Sequence, residues 1–406
     1  MPNIQTITLT SDYPAHERKT PTIDSTGQLV LGGVTANELV KKYGTPLYAL
    51  DGDYIKYMAT AMADAIKKEY PNSLICYASK ALACKALYQL TAKLGLGADV
   101  ASGGELYTAL LAGVNPNDIY MHGNAKTLIE LNEAISANIH AVVIDSFDEI
   151  ELLDKLAAAA SKTQGVMLRV NPGVEAHTHE YIQTAKVDSK FGFSIEDGTA
   201  LKAVETTLNK KNLKLWGLHC HIGSQIFETE PFCLALEKMT DFVAVIQKQL
   251  KASIIELNMG GGFGIMYTDA DRPLDPYTYV KAIAQKLKSC IAAKNINPPR
   301  LILEPGRSIV GEAGITLYNI TCIKKIPNIR TYVAVNGGMF ENPRHALYQS
   351  KYDATLALKA NKPKTEKITV AGKCCESGDI LAKDVMLQKP ETADILAILS
   401  TGAYNY

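Results

Sequence analysis

The chain has 406 residues, 47% of them hydrophobic and 21% charged, ordinary values for a globular protein long enough to form two domains. Lys plus Arg and Asp plus Glu each total 42, a formal net charge of zero, which argues against a nucleic-acid partner. No run of about 18 apolar residues is present to span a membrane, and residues 1–20, with Asp12, His16, Glu17, Arg18 and Lys19 among them, lack the apolar centre of a signal peptide, so a cytoplasmic location is expected.

From about residue 73 to 307, short apolar stretches alternate with helical patterns. Strands are expected to begin near Ser73, Gly97, Asp118, Ala141, Val166, Lys214, Ile254 and Leu301. Several are continuous apolar runs, such as A-V-V-I (141–144), the mark of parallel strands buried on both faces. Ser102 with Glu105, Thr127 with Glu130, and Ser146 with Glu149 fit the capping box that opens a helix. After Ser146, Ile150, Leu153 and Ala157 recur at helical spacing. Eight such units favour an α/β fold with a closed (β/α)8 barrel over residues 46–310, the alternative being a doubly wound open sheet. After Arg307 the pattern changes. Residues 315–326, 331–335, 367–371 and 392–399 read as strands, with helix limited to a turn around 344–352. Residues 311–406, joined by 1–45, are expected to form a β-barrel or β-sandwich domain.

Reacting groups in a barrel enzyme sit at the C-terminal ends of its strands. The first strand runs into Lys80, whose amine, if partly desolvated, can form a Schiff base with an aldehyde cofactor; the plain alternative is a solvated surface lysine. H-T-H-E (177–180) looks ligand-like but falls in a loop, and a structural role is expected. The sixth strand ends in H-C-H-I-G-S-Q (219–225), which places His219 and His221 on one side of a strand. A metal pair would lack a third ligand at a recognisable spacing; a ring packed on a flat cofactor or a hydrogen-bonded barrel histidine are the other readings. The seventh strand ends in N-M-G-G-G-F-G (258–264) and the eighth in E-P-G-R (304–307). Glycines let backbone N–H groups close around a phosphate, and barrels often bind phosphate with the loops after strands seven and eight. In N-P-R-H-A-L-Y (342–348), Arg344 and Tyr348 lie four apart and, on a helix, would share a face able to grip a carboxylate. C-C-E-S-G-D (374–379) offers either an exposed reactive thiol or a surface turn. The eight cysteines are irregularly spaced, against a zinc ribbon or a disulfide framework.

Taken together, these motifs resemble the diaminopimelate decarboxylases, within the alanine-racemase-like class of pyridoxal-phosphate enzymes. The markers are Y-A-S-K (77–80), S-G-G-E-L (102–106), H-G-N-A-K (122–126), H-C-H-I-G-S-Q (219–225), G-G-G-F-G (260–264), E-P-G-R (304–307), N-P-R-H-A-L-Y (342–348), C-E-S-G-D (375–379) and G-A-Y (402–404), spread over nearly the whole chain. The resemblance implies pyridoxal 5'-phosphate carried on Lys80, with His221 stacked on its ring. Gly260, Gly261, Gly262, Gly306 and Arg307 would surround its phosphate, and Glu304 would face the ring nitrogen. It implies that Arg307, Arg344, Tyr348 and Glu376 meet the substrate, that Cys375 donates a proton, and that Tyr404 touches both cofactor and substrate. The implied reaction converts meso-2,6-diaminopimelate to L-lysine and carbon dioxide, the last step of lysine biosynthesis. It runs in a homodimer whose cysteine loop comes from the partner subunit, and no metal is implied. The alternatives are a related decarboxylase of ornithine, arginine or carboxynorspermidine, and an inactive, truncated cofactor-binding homologue. Two departures stand out. Asn336 replaces the aspartate usual in the family, with disturbed local packing or hydrogen bonding expected. The chain also stops at Tyr406, directly after G-A-Y, where relatives continue; a weakened last strand and dimer are expected.

Overall fold

The structure, a computed structural model, describes residues 19–174 and 189–405; the H-T-H-E segment at 177–180 lies outside them. β1 (Thr22–Ile23), β2 (Leu29–Leu31) and β3 (Val34–Thr35) pair antiparallel in a small sheet of their own. α1 (Ala36–Tyr43) follows, opened by a full capping box between Thr35 and Glu38. Next come β4 (Leu47–Leu50) and the long helix α2 (Gly52–Glu69).

The eight expected barrel strands then follow in order. They are β5 (Ser73–Ala78), β6 (Gly97–Val100), β7 (Ile119–Met121), β8 (Ala141–Ile144), β9 (Gln164–Asn171), β11 (Leu213–His219), β12 (Glu256–Asn258) and β13 (Arg300–Leu303); β10 (Phe193–Ser194) adds a short parallel pairing on β9. The ladder runs β9-β11-β12-β13-β5-β6-β7-β8 and closes through β8 onto β9, all parallel. A closed ring, not the open doubly wound sheet, is therefore the architecture. Outside it lie α3 (Lys85–Lys93), α4 (Gly103–Leu111), α5 (Leu128–Ala137), α6 (Phe147–Ala159), α7 (Thr199–Leu208), α8 (Glu230–Gln249) and α9 (Pro276–Lys294). The helix after β13, α10 (Arg307–Val310), has only four residues; α2, from before the barrel, packs against α9 and α10 and completes the outer layer.

Alternation along the strands sorts the side chains. Leu74, Cys76, Tyr120, Ala141, Val143, Met167 and Ile302 fill the barrel interior, while Ile75, Tyr77 and Val142 face the helices. The N-terminal end of the barrel is closed by a polar floor. Glu256 accepts hydrogen bonds from Tyr120 (3.2 Å to Oε2) and His140 (3.0 Å), with Arg300 3.6 Å away. His140 stacks at 5.4 Å and 14° on Trp216, the single tryptophan of the chain, and the Lys214 ammonium lies 3.7 Å from the centre of that ring.

Of the three expected capping boxes, the one at Thr127 forms in full: Thr127 Oγ1 accepts from Glu130 N–H, and Glu130 accepts from Thr127 N–H. At Ser102 and Ser146 the hydroxyl caps as expected, but the carboxylate reaches one residue further back. Glu105 accepts from Ala101 N–H and from the Ser79 hydroxyl, and Glu149 accepts from Asp145 N–H and from Lys126. Each glutamate is drawn away from its cap by a partner from the neighbouring βα unit.

Beyond the barrel, β14 (Gly314–Ile326), β15 (Arg330–Val335), α11 (Arg344–Tyr348), β16 (Ala354–Leu356), β17 (Glu366–Ala371), β18 (Ile380–Leu387) and β19 (Ile395–Ile398) follow. They make a mixed sheet in the order β16-β19-β14-β15-β17-β18, with β4 added antiparallel on β14. β4 thus lies in this sheet although its residues fall within the 46–310 segment. The small N-terminal sheet packs its Leu29 and Leu31 on Ile315, Leu317 and Ala397 without joining the ladder. Ile265 and Tyr267, from the loop after β12, are buried in the core of the mixed sheet beside Tyr318, Tyr352 and Leu396, which holds the barrel mouth against that sheet. Asn336 is well satisfied, contrary to the expectation of a disturbed site. Its Nδ2 donates to Thr45 O and Thr45 Oγ1, both at 2.9 Å, and its Oδ1 accepts from Asn319 N–H at 2.9 Å.

Candidate active site

At the C-terminal mouth of the barrel a cleft of about 340 Å³ is lined by Ala78, Lys80, Asp99, His221, Ser224, Gly261, Gly262, Phe263, Glu304, Gly306, Arg307, Ser308 and Tyr404. Seven of the residues singled out in the sequence are brought together here: Lys80, His221, Gly261, Gly262, Glu304, Gly306 and Arg307, with Tyr404 as the eighth.

Lys80 lies two residues past the end of β5 and presents its amine to the cleft, where it makes no hydrogen bond or ion pair with the described residues. Burial works against its positive charge, but Asp99, then Tyr404 and Glu304, more than offset this and hold its pKa above the ordinary lysine value. Ser79, one residue before, is fixed by donating to Asp99 O at 2.6 Å and to Glu105.

Glu304 is buried just past the end of β13. His122 Nε2 donates to Oε1 at 2.8 Å, His219 Nε2 to Oε2 at 3.2 Å, and Asn258 Nδ2 to Oε1 at 2.6 Å. Burial opposes the Glu304 charge, yet the two histidines outweigh it and hold this carboxyl well below the usual carboxylate range. Burial pushes His219 down to about 3 in spite of Glu304, so Glu304 carries the charge and His219 is a neutral donor. His122, His219 and Glu304 also have their ligand atoms within 4.8 Å of one another, the one such metal-compatible group among the described residues. Their 2.8 and 3.2 Å contacts are direct hydrogen bonds, which pair the Nε2 atoms with the carboxylate oxygens themselves. His221, the other half of the sequence pair, is not in that group. Burial, with Lys80 and Arg169 nearby, drives its pKa well below the ordinary histidine value, and its Nδ1 accepts from Gly261 N–H at 3.4 Å.

The glycines are required by space. A Cβ on Gly261 would lie 2.1 Å from Glu304 O, and one on Gly262, at φ +108°, would lie 2.2 Å from Gly223 O. Gly260 does not line the cleft; its N–H is taken by Asn258 Oδ1 at 2.9 Å. Arg307 is buried, and its guanidinium meets only hydroxyls and rings. It donates to Ser224 Oγ (2.8 Å) and Tyr267 OH, and it lies 4.6 Å from the Tyr404 ring centre. No carboxylate of the described residues is within ion-pair distance of it. A buried cation without an anion is costly, which marks this end of the cleft as a place for an anionic group.

Arg344 and Tyr348 share α11 as expected, but neither lines the cleft. Arg344 is nevertheless coupled to it. Its guanidinium stacks 4.7 Å from the Tyr267 ring centre and donates to Tyr352 OH at 3.0 Å, and Tyr267 in turn holds Arg307. Cys375 and Glu376 are exposed and away from the cleft of their own chain. Their loop is anchored through buried Asp379, which accepts from Met339 N–H (2.7 Å) and Cys374 N–H (2.8 Å). Asp99 and Tyr267 were not picked out from the sequence, and His122, Ser224 and Asn258 fell within quoted motifs without a role of their own. Asp99 had a legible signal, a lone charge inside the apolar strand G-A-D-V (97–100); burial pushes its pKa up to about 6, against the pull of His122.

The cleft fits pyridoxal phosphate on these observations: an unbonded amine, an ionised buried carboxylate, a buried guanidinium lacking an anion, and glycine turns with no room for a side chain. Residues 59–311 match the family model for the pyridoxal-binding domain of pyridoxal-dependent decarboxylases. The chain is 45% identical to the diaminopimelate decarboxylase of Bacillus methanolicus, covering 95% of this chain and 90% of that one. It is 46% identical to that of Staphylococcus aureus, over 94% and 89%. The crystal structure of diaminopimelate decarboxylase from M. jannaschii, also solved with L-lysine, superposes with a TM-score of 0.88 at 36% identity, over 95% of this chain and 88% of that one. The chain belongs to the diaminopimelate decarboxylase family of pyridoxal-dependent enzymes.

Proposed function

We propose that the protein decarboxylates meso-2,6-diaminopimelate to L-lysine and carbon dioxide, the last step of lysine biosynthesis, with pyridoxal 5'-phosphate held in the barrel cleft. The observation that carries this reading is the meeting, in one cleft, of the free Lys80 amine, the ionised Glu304 and the anion-less Arg307. When bound, the cofactor supplies an aldehyde carbon for an amine and a ring that accepts the electron pair left behind as carbon dioxide departs. Lys80 would hold the aldehyde. Gly261, Gly262, Gly306 and Arg307 would hold the phosphate, and the neutral imidazole of His221 would lie against the ring. Glu304 keeps the ring nitrogen protonated, because a nearby carboxylate favours the cationic form. Tyr404 closes the cleft over cofactor and substrate.

The substrate's far end carries a carboxylate and an ammonium. Arg344, Tyr348 and Arg307 suit the first, Glu376 the second. An exposed Cys375 suits delivery of a proton to the substrate's α-carbon. Since Cys375 and Glu376 lie away from the cleft of their own chain, we place them in the cleft of a second copy, in a homodimer with shared sites. All eight cysteines are free, in keeping with a reducing cytoplasm, and no helix among the described residues is long and apolar enough to cross a membrane.

The protein is to be mixed with pyridoxal phosphate and meso-diaminopimelate, and lysine and carbon dioxide measured, beside ornithine, arginine and carboxynorspermidine. Lysine formation, lost in Lys80→Ala together with the cofactor's absorbance band, is expected. A fully loaded protein that forms no lysine, or that turns over a compound lacking the distal carboxylate faster, would overturn the reading.

A further inference from the structure

Three donors converge on Glu304 from different strands. His122 follows β7, His219 ends β11 and Asn258 ends β12; their exposures are 7%, 1% and 0%. In the ring of strands β7 is separated from β13, which leads into Glu304, by β5 and β6, so the His122 contact crosses the barrel mouth. The two imidazoles meet edge to face, 4.7 Å between centres at 70°, and neither can turn without displacing the other. The hydrogen bonds are divided between the oxygens: His122 and Asn258 serve Oε1, His219 serves Oε2.

We propose that His122 and His219 are positioning residues which, each donating through Nε2–H, clamp the Glu304 carboxylate in a single orientation toward the ring nitrogen of the cofactor. The proposal rests on the pyridoxal-phosphate reading of the cleft. Its second support is the far side of His219. Nδ1 of that ring is buried without a hydrogen-bond partner among the described residues. A proton there would bury an N–H with no acceptor, so the ring is confined to the tautomer that donates through Nε2. Asp99 approaches the same His122 Nε2 at 3.7 Å, further than Glu304 at 2.8 Å, and so does not displace it. Lys80 and Arg169 are the cations that face the group. Arranged this way, the proton stays on the cofactor's ring nitrogen, because its carboxylate partner is already stabilised as an anion by three donors and gains little by taking it.

Holoenzyme reconstituted with pyridoxal phosphate carrying 15N in its ring is to be compared for wild type, His122→Phe, His219→Phe and the corresponding glutamine variants, which keep one N–H donor. In each phenylalanine variant the ring-nitrogen resonance should move toward its unprotonated position, with turnover reduced roughly 10- to 100-fold, the usual range for a hydrogen bond to a charged group. Glutamine should recover part of both. Reduced turnover with an unmoved nitrogen resonance would overturn the proposal, since a merely structural role lowers rate alone. Should the variants not fold, 15N-histidine-labelled wild type decides: the His219 ring should show a protonated Nε2 and a bare Nδ1, and an imidazolium or the opposite tautomer there would refute the clamp. Wild type that takes up no pyridoxal phosphate would instead overturn the functional reading, and the imidazole spectrum of that same sample still decides the clamp.

Discussion

Asp99 and Asn336 are single polar groups whose surroundings set their worth. Asp99 is buried, and its pKa of about 6 lies above the ordinary aspartate value of 3.8. The folded state therefore holds a proton that the unfolded chain has already lost between these values. The stability Asp99 contributes is complete below about pH 4 and is lost as pH rises through 6. Asp99→Asn should stabilise the cofactor-free protein at pH 7.5 by up to about 3 kcal/mol, with the advantage gone at pH 4; urea denaturation at both pH values measures it. At Asn336 the amide donates to two Thr45 oxygens, which a carboxylate cannot do. Asn336→Asp, though it restores the usual family residue, should lower stability by about 1–3 kcal/mol, read as a fall in Tm that shrinks in acid. At this scale the sequence was legible where a residue type implies its chemistry. Lys80, Glu304 and Arg307 could be picked out, because an amine, an acid and a guanidinium at strand ends have few structural uses. The roles of His122 and Tyr267 were not legible, because they come from partners 182 and 40 positions away.

Among the elements, the short helices at the mouth are tied together by one buried ion pair. Lys126 Nζ donates to Glu149 Oε1 (2.6 Å), Gly123 O (2.7 Å) and Val143 O (2.7 Å), joining the loop after β7 to β8 and the start of α6. Burial pushes the Lys126 pKa below its ordinary value despite Glu149. Lys126→Met leaves Glu149 buried without its cation and should cost about 3–5 kcal/mol, seen as a lower urea midpoint with an unchanged slope; a loss below about 1 kcal/mol would show the pair to be expendable. The eight barrel strands were readable because short apolar stretches, several of them continuous runs such as A-V-V-I (141–144), alternate with helical patterns. β16 and β18 were missed for a physical reason. β16 has three residues, and in β18 Asp384 has a φ of 56°, which interrupts the two-residue alternation that marks a strand.

For the molecule as a whole, one chain does not bring Cys375 to its own cleft. If a second copy supplies it, Lys80→Ala and Cys375→Ala, each nearly inactive alone, should complement. Mixed and allowed to re-pair, about half the dimers would be hybrids with one intact site each, giving about a quarter of wild-type activity. Activity that stays at the level of the separate variants would show each chain to be self-sufficient. The floor of the barrel bears on how such experiments are followed. Trp216 is the single indole and is held toward the closed end, stacked on His140 and three residues before His219 on β11. Its fluorescence is therefore a gauge of one end of the tube, and the colour of a bound cofactor is a gauge of the other. An unlabelled sample can thus reveal whether the two ends come apart together or in turn.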